Sequence, residues 1–391
     1  MPWQERSAME EREAFVAEYQ TGLWTMTELS AVYGISRKTG HTWIARYAEG
    51  GRTALADQSR RPHAHPDTIP DRIVQRVVAA RRRFPRWSAG KLVQWLETHY
   101  PRTEWPGRTT AYALLARAEL PRAPRRPGPK RVRSPRQGSE LTVPLAANQV
   151  WTTDFKGEFR LGNGTYCHPL TVRDGFSRCV LRCDALAAES YPYTRAMFDR
   201  AFARFGLPEC IRSDNGRPFA TTGLAGLSRL NVYWIRLGIR VERITPGCPE
   251  QNGSHEQFHR ILKRDTTRPP AVTLGAQQRR FDAFCREYNE QRPHDALAGG
   301  VPATLYTRSH RPWSRALPTV DYPAHWEVRG ADSTGVITFR GRPLNVTRAL
   351  ADQDIALEEI DDAIWRLWFV NTPLGHFDAR RWSWIRPDRL D

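Results

Sequence analysis

Apolar residues fall three and four apart through the first 120 positions and shift to short extended runs beyond residue 150. The first pattern predicts helices; short runs rich in β-branched and aromatic residues between turn residues predict strands. Thr27 to Tyr33 reads as one helix. Gly34 permits a tight turn, Ile35 packs it, and Ser36 caps a second helix from Arg37 to Tyr47, with Trp43, Ile44 and Tyr47 facing inward. Helix, glycine turn and helix at this length predict a helix-turn-helix. Gly40 weakens the second helix, because glycine costs about 1 kcal/mol against alanine in a helix interior.

Gly50, Gly51 and the polar run Asp57 to Asp67 read as a connection. A second helical unit follows. Ile73, Val74, Val77 and Val78 form one stripe, Ser88 caps a helix around Leu92, Val93 and Leu96, and Gly107 to Leu120 forms a further recognition-type helix. Pro121 to Glu140 holds five prolines and seven Arg or Lys. Such a segment cannot build a core and reads as an extended basic tether.

From Pro144 the pattern changes. Thr152 to Phe155, His168 to Arg173 and Cys179 to Arg182 read as three strands, and Ala196 to Phe205 as a helix closed by Gly206. Ile211 to Ser213 is a short strand, and Gln257 to Arg264 and Phe281 to Glu290 are helices. That order is α/β. Beyond Pro318, short strand-like runs at Glu327 to Arg329, Gly335 to Phe339, Asp354 to Leu357 and Ala363 to Val370 suggest a small barrel or sandwich. The expected chain is multidomain: N-terminal all-α helix-turn-helix units, a central α/β core and a small β-rich C-terminal domain. Its parts are placed at 1–56, 57–120, a basic proline-rich linker 121–143, a core 144–310 and a barrel-like domain 318–391.

Charge narrows the partner. The chain carries 59 Lys and Arg against 42 Asp and Glu, a net +17. Most of the excess lies between Gly51 and Glu140, with 20 basic and 7 acidic residues. A localised basic field predicts a nucleic-acid partner, and helix-turn-helix units in series predict that it is double-stranded DNA. The candidate contacts are Arg37, Lys38, Thr39, His41, Thr42 and Arg46 on the second helix, and Arg108, Thr109, Thr110 and Tyr112 at the head of the later one. Arg125, Arg126, Lys130 and Arg131 in the tether join them. These side chains suit phosphates and base edges. No run approaches 18 apolar residues, so no membrane span is expected. The N-terminal residues lack an apolar signal-peptide core. Six cysteines without a Cys-x-x-Cys pair argue against a disulfide framework or zinc knuckle and suit reduced, cytosolic thiols.

Three strings each offer one acid: Asp154 in VWTTDFKGEF, Asp214 in IRSDNGRPF and Glu256 in TPGCPEQNGSHEQFHRILK. Two aspartates at strand ends and a glutamate opening a helix can converge on two divalent metal ions. Mg²⁺ favours carboxylate oxygens, completed by water and substrate phosphate. Two such ions about 4 Å apart activate the attacking oxygen and stabilise the leaving one. The chemistry indicated is cutting or joining phosphodiesters.

The flanking strings carry a resemblance. W-x-x-D at Trp151 to Asp154, D-x-x-S-R at Asp174 to Arg178 and S-D-N-G-x-x-F at Ser213 to Phe219 come in order. P-x-x-P-x-x-N-G-x-x-E at Pro246 to Glu256 and Y-N-x-x-R-P-H-x-A-L at Tyr288 to Leu297 follow, with Pro302 and Tyr306 completing the pattern. The chain resembles the DDE transposases of bacterial insertion sequences, whose catalytic core is of the retroviral-integrase type. The resemblance implies an RNase H-like core, a mixed five-stranded sheet with helices on both sides. It implies Asp154, Asp214 and Glu256 as catalytic and metal-binding residues, with two Mg²⁺ per site and Mn²⁺ as substitute. It implies water attack at an element end to free a 3′-OH, attack of that 3′-OH on target DNA, and at least a homodimer holding two ends in a synaptic complex. The location implied is the bacterial cytoplasm, at the nucleoid. The gap from Asp214 to Glu256 is longer than usual in the family. Glu250 would shorten it, but Glu256 holds the position after Asn252-Gly253, and Glu250 sits in a loop beside Pro249. Asp174, followed by Gly175, is expected to serve a turn, while Arg178 and His294 are expected to be structural or to touch phosphate.

Two rival readings compete. His255 to His259 matches H-E-x-x-H, a zinc-protease pattern. Its first histidine would sit at a frayed helix start, its third ligand would have to be Glu287, and a protease leaves the basic N-terminal half unexplained. The other rival is a DNA-binding repressor or a decayed enzyme, against which stands the presence of all three acids.

Overall fold

The structure, a computed structural model, describes residues 7–58, 69–121, 141–245, 248, 251 and 253–385. Contacts divide the chain into two units, Met1–Pro70 and Asp71–Asp391.

The first unit is three helices: α1 (Ala8–Gln20), α2 (Met26–Val32) and α3 (Arg37–Gly50). The pattern of apolar residues did not reveal α1, yet Ser7 and Glu10 form a reciprocal capping box at its start, the S-x-x-E signal of a helix N-terminus. Ser36 Oγ accepts the Thr39 N–H at 3.1 Å, capping α3 as expected. Phe15, Val16, Met26, Leu29 and Leu55 form the core, with Trp43, Ile44 and Tyr47 against it. Gly40 proves to be a packing residue. A Cβ there would stand 2.6 Å from Met26 Sδ and 2.9 Å from Phe15 Cζ, so glycine permits the close crossing of α3 over its neighbours.

The second unit opens with α4 (Asp71–Arg83), α5 (Ala89–His99) and α6 (Arg108–Arg117). They close on Val77, Trp87, Leu92, Trp95, Leu96, Ala111 and Leu115. The turn between α4 and α5 is built from the Phe84–Trp87 ring stack, centroids 3.9 Å apart, and from the buried Arg81 guanidinium, which donates to the Pro85 and Trp87 carbonyls.

The central sheet contains β1 (Val150–Phe155), β2 (Phe159–Arg160), β3 (Tyr166–Asp174) and β4 (Val180–Leu186). After α7 (Tyr191–Phe205) come β5 (Cys210–Ser213), α8 (Arg229–Arg236) and β6 (Arg240–Arg243). β3 pairs antiparallel with both β1 and β4, whereas β1, β5 and β6 run parallel. The two-residue β2 on β3 is the strand beyond the expected five. Thr142 is tied to the far edge: its carbonyl accepts from Arg212, which also pairs with Glu242 at 2.7 Å. α9 (Gly253–Thr266), α10 (Leu274–Glu290) and the one-turn α11 (Pro302–Leu305) follow.

Trp151, Leu170, Val172 and Ile211 pack with α7 and α8 on one face of the sheet. Cys167, Val180 and Cys183 pack with Phe258, Leu262, Phe281, Phe284 and Tyr288 of α9 and α10 on the other. Helices therefore cover both faces, as the α/β reading requires. α8 and β6 were absent from that reading.

The tail forms β7 (Glu327–Gly330), β8 (Val336–Phe339), β9 (Arg342–Asn345), β10 (Asp354–Asp361), β11 (Ile364–Phe369), β12 (Thr372–Asp378) and β13 (Ser383–Ile385). The β13-β12-β11-β10-β7 sheet is antiparallel, and the β8–β9 hairpin shares its core. α8 joins this domain to the central sheet: Leu230, Tyr233 and Trp234 pack on the sheet, and Val232 and Ile235 on the tail.

Candidate active site

Asp154 lies near the end of β1, and Asp214 follows the last residue of β5. The two strands are parallel neighbours with Val150 opposite Cys210 and Thr152 opposite Arg212. Carried two residues further, that register sets Asp154 level with Asp214 at the carboxyl edge of the sheet. The edge turn suits the second acid. The Gly216 N–H donates to Asp214 Oδ1 at 3.2 Å, and a Cβ on Gly216 would stand 3.1 Å from Oδ2. Burial pushes the Asp214 carboxyl upward from its ordinary range, against the Gly216 hydrogen bond. A carboxylate that is costly to leave charged and buried favours a nearby cation.

Beside Asp154 stands a polar knot that seats α9. Thr171, opposite Asp154 on β3, donates its hydroxyl to the Asp154 carbonyl at 3.0 Å. Its Oγ1 is also 2.6 Å from His255 Nε2 and 2.8 Å from His259 Nε2. A hydroxyl has one proton and two acceptor positions, so this set is satisfied when both rings carry their proton on Nε2. His255 Nδ1 then accepts from Thr152 Oγ1 at 3.1 Å. Arg173 holds the head of the same helix, donating to the Ser254 carbonyl at 2.8 Å with its guanidinium 4.8 Å over the Phe258 ring. Burial first holds both imidazoles neutral, helped by His259 and Arg173 at His255 and by Lys156 and Arg173 at His259: His255 falls well below its ordinary value and His259 to about 3.

The H-E-x-x-H string is thus a packing device. Both histidines face the sheet and give their Nε2 atoms to one threonine. Glu287, the third ligand that a zinc site would need, accepts the Trp87 indole N–H at 2.8 Å instead.

Glu256, in the first turn of α9, is exposed. It does not close a three-acid cluster with the aspartates: among the described residues, no three His, Cys, Asp or Glu side chains stand close enough together to hold a metal ion. Glu250 lies outside the described residues. Asp174 is structural, as expected. It is 1 % exposed, and its carboxylate accepts from the Asn148 and Ser177 backbones at 2.7 Å each and from the Ser177 hydroxyl. His294 packs edge-on against Tyr288, centroids 4.6 Å apart.

Three cations near the acids escaped the sequence reading. Lys156 follows β1 and feels both Asp154 and Lys263. On α9, Glu256, Arg260 and Lys263 are all exposed. The spacing i, i+4, i+7 puts them on one helix face, a signal present in the sequence. Of the candidate DNA contacts, Arg37, Lys38, His41, Thr42, Arg108, Thr109 and Thr110 are exposed. Thr39 and Tyr112 are half-buried, and Arg46 bonds Gln58 at 2.9 Å while lying over Trp43. Arg125, Arg126, Lys130 and Arg131 lie outside the described residues.

The same segments match known families. Integrase core domain models match residues 144–249 and 237–302. A helix-turn-helix domain matches 11–63, a homeodomain-like domain 39–115, and the C-terminal domain of the IS481 family transposases 326–383. An uncharacterized 31.7 kDa protein of insertion element IS407 from Burkholderia multivorans is 32% identical over 204 residues, covering 50% of this chain and 68% of that protein. The chain belongs to the transposases of bacterial insertion sequences. A second relative of the transposase, from insertion element IS476 of Xanthomonas euvesicatoria, is 28% identical over 282 residues, 71% of this chain and 76% of that protein. Among solved structures, the HTLV-2 integrase catalytic core in complex with magnesium aligns at 17% identity over 42% of the transposase and 99% of that chain, with a TM-score of 0.34. By the family models and the insertion-element relatives, the transposase is a polynucleotidyl transferase of DNA transposition, with helix-turn-helix domains ahead of an integrase core. Among its described residues, no helix is long and apolar enough to cross a membrane.

Proposed function

We propose that the transposase binds the two ends of a mobile element, cuts a phosphodiester at each to free a 3′-OH, and joins those ends to target DNA. Asp154, Asp214 and Glu256 are its catalytic acids. The observation that carries this reading is the placement of Asp154 and Asp214 at the same end of parallel neighbouring strands, with the Glu256 helix seated beside Asp154 by Thr171, His255 and His259.

The donor set fits Mg²⁺, or Mn²⁺ in its place, in kind: it is all carboxylate oxygen. Asp154 and Asp214 would hold two such ions, with Glu256 joining from α9. Bound there, the ions would supply an activated nucleophile and charge stabilisation for the leaving oxygen. The protein's own part is to hold its acids at the sheet edge and to receive DNA. Lys156, Arg260 and Lys263 would meet phosphates beside the acids. Arg37, Lys38, His41 and Thr42 would read one DNA segment, and Arg108, Thr109 and Thr110 another. Arg125, Arg126, Lys130 and Arg131 would add phosphate contacts, so binding weakens steeply with salt. Two ends joined together require at least a homodimer, acting on nucleoid DNA in the bacterial cytoplasm.

The test is nicking and joining of labelled element-end DNA with Mg²⁺ or Mn²⁺. Cation-dependent cuts at the end, followed by joined products, support the reading. Tight binding to ends without any cut, across both ions, would favour a DNA-binding repressor.

A further inference from the structure

The second helical module is clamped onto the catalytic core. The Trp87 indole donates to Glu287 of α10, and the Trp95 indole donates to Gln291 at 3.1 Å. Lys91, 7 % exposed, reaches the Pro293 carbonyl and stands 3.6 Å from Asp295. Arg86 donates to the carbonyls of Arg264 and Arg268 and stands 3.7 Å from Asp265. Each contact spans some 180 to 200 residues of chain. They join the α4–α5 turn and α5 to the ends of α9 and α10.

Two consequences follow from where these contacts fall. Arg264 and Asp265 belong to α9, the helix that carries Glu256 in its first turn and that Thr171 and Arg173 fix to the sheet. α6, with Arg108, Thr109 and Thr110 exposed, shares one core with Trp87 and Trp95. Buried indoles and a buried ammonium bonded across an interface resist sliding, because shifting them strands polar groups away from water. The reach from α6 to the acids is thus set by a chain of packed elements: α6 to α5, α5 and its preceding turn to α10, that turn to α9, and α9 to β1 and β3.

We propose that this clamp is a gauge: by holding the second helical module rigidly on α9 and α10 of the same chain, it sets the distance between the DNA segment gripped by α6 and the phosphate cut at Asp154 and Asp214, and so selects the position of the cut. The residues that set this specificity are Trp87, Lys91 and Trp95 on the module and Glu287 and Gln291 on the core. They position the DNA and do not touch the reacting atoms. The inference rests on the reading of the protein as an end-cutting transposase.

Cut position on end-labelled DNA, mapped at nucleotide resolution with the full chain, is the readout. The wild type is expected to cut at one principal position. Glu287→Ala with Gln291→Ala releases two indole bonds from the core side without opening the module's own core. That variant is expected to keep its affinity for end DNA but to scatter cuts over neighbouring phosphates. Its rate at the principal position should fall about 100-fold, the scale of loss caused by an ångström of misplacement. A second chain carries ten Gly and Ser residues inserted within 122–140, leaving the clamp intact. Its cut position should not move. An unchanged single position and rate in the double variant, or a position that shifts with the insertion, overturns the gauge. A wild type that binds ends and never cuts them overturns the catalytic reading instead.

Discussion

His259 Nδ1 lies 3.6 Å from Asp154 Oδ2, while its Nε2 meets the hydroxyl of Thr171, the residue opposite Asp154 on β3. The second histidine of H-E-x-x-H therefore serves the strand that bears the first acid. Removing that ring takes one of two imidazole donors from Thr171 and opens a gap beneath the middle of α9.

His259→Leu is expected to destabilise the second unit by about 1–3 kcal/mol, the usual cost of stranding a buried polar partner. It should slow DNA cleavage as well. Thermal denaturation and end cleavage measure the two effects. No zinc-dependent peptidase activity is expected of the wild type. Its appearance, and its loss in His259→Leu, would restore the zinc reading.

Asp154→Asn, Asp214→Asn and Glu256→Gln should each abolish strand cleavage and leave the affinity for end DNA within about twofold, since the proposed DNA contacts lie on the helix-turn-helix units and the tether. Cleavage gels and binding titrations at one fixed salt concentration separate the two. Retained cleavage in any one variant removes that residue from the site.

Stability should fall with acid through His294. Burial first, then Lys91, Arg292 and Arg173, lowers its pKa from 6.5 to about 3. The unfolded chain therefore takes up the proton before the folded one does. The contribution is whole above about pH 6.5 and is lost as pH falls from there toward 3, by at most about 1.4 kcal/mol per pH unit. His255 and His259 shift in the same direction. Melting temperatures between pH 7 and 5 should drop less steeply in His294→Asn. Equal slopes would assign the acid sensitivity elsewhere.

Gly40→Ala gains about 1 kcal/mol of helix propensity in α3. The new methyl would press on Met26 Sδ and Phe15 Cζ, and overpacking a core costs about 1–3 kcal/mol. Net destabilisation of the first unit is expected, read from denaturant titration of residues 1–70 within the full chain. A more stable variant would show that Met26 and Phe15 yield at little cost.

Much of the fold was legible because its signals are local. Ser36, Gly34 and the apolar spacing of Trp43, Ile44 and Tyr47 define the helix-turn-helix within twenty residues. The strands bearing Asp154 and preceding Asp214, and the helix bearing Glu256, also read from their own neighbours. What escaped was short or two-sided. β6 is a four-residue strand with no fully buried position. α8 is eight residues long, and a run that short does not tell helix from strand, even though it packs on both the sheet and the tail domain. Gly40 read as a weakness because the helix that crosses it is distant in sequence.

The sequence by itself determined which residue types are offered: three acids at strand ends and a helix start, a basic N-terminal half, and a set of strings shared with the insertion-sequence transposases. Only the tertiary structure decided how they are used. The β1–β5 register levels two aspartates sixty residues apart. Thr171, some eighty residues from each histidine, turns a metal-binding string into a helix seat. Trp87 finds Glu287 across two hundred residues and binds the second helical module to the core. The physical reason is range: capping, turns and periodicity act within a few residues of chain, whereas register, hydrogen bonding of buried polar groups and docking depend on partners that only folding brings together.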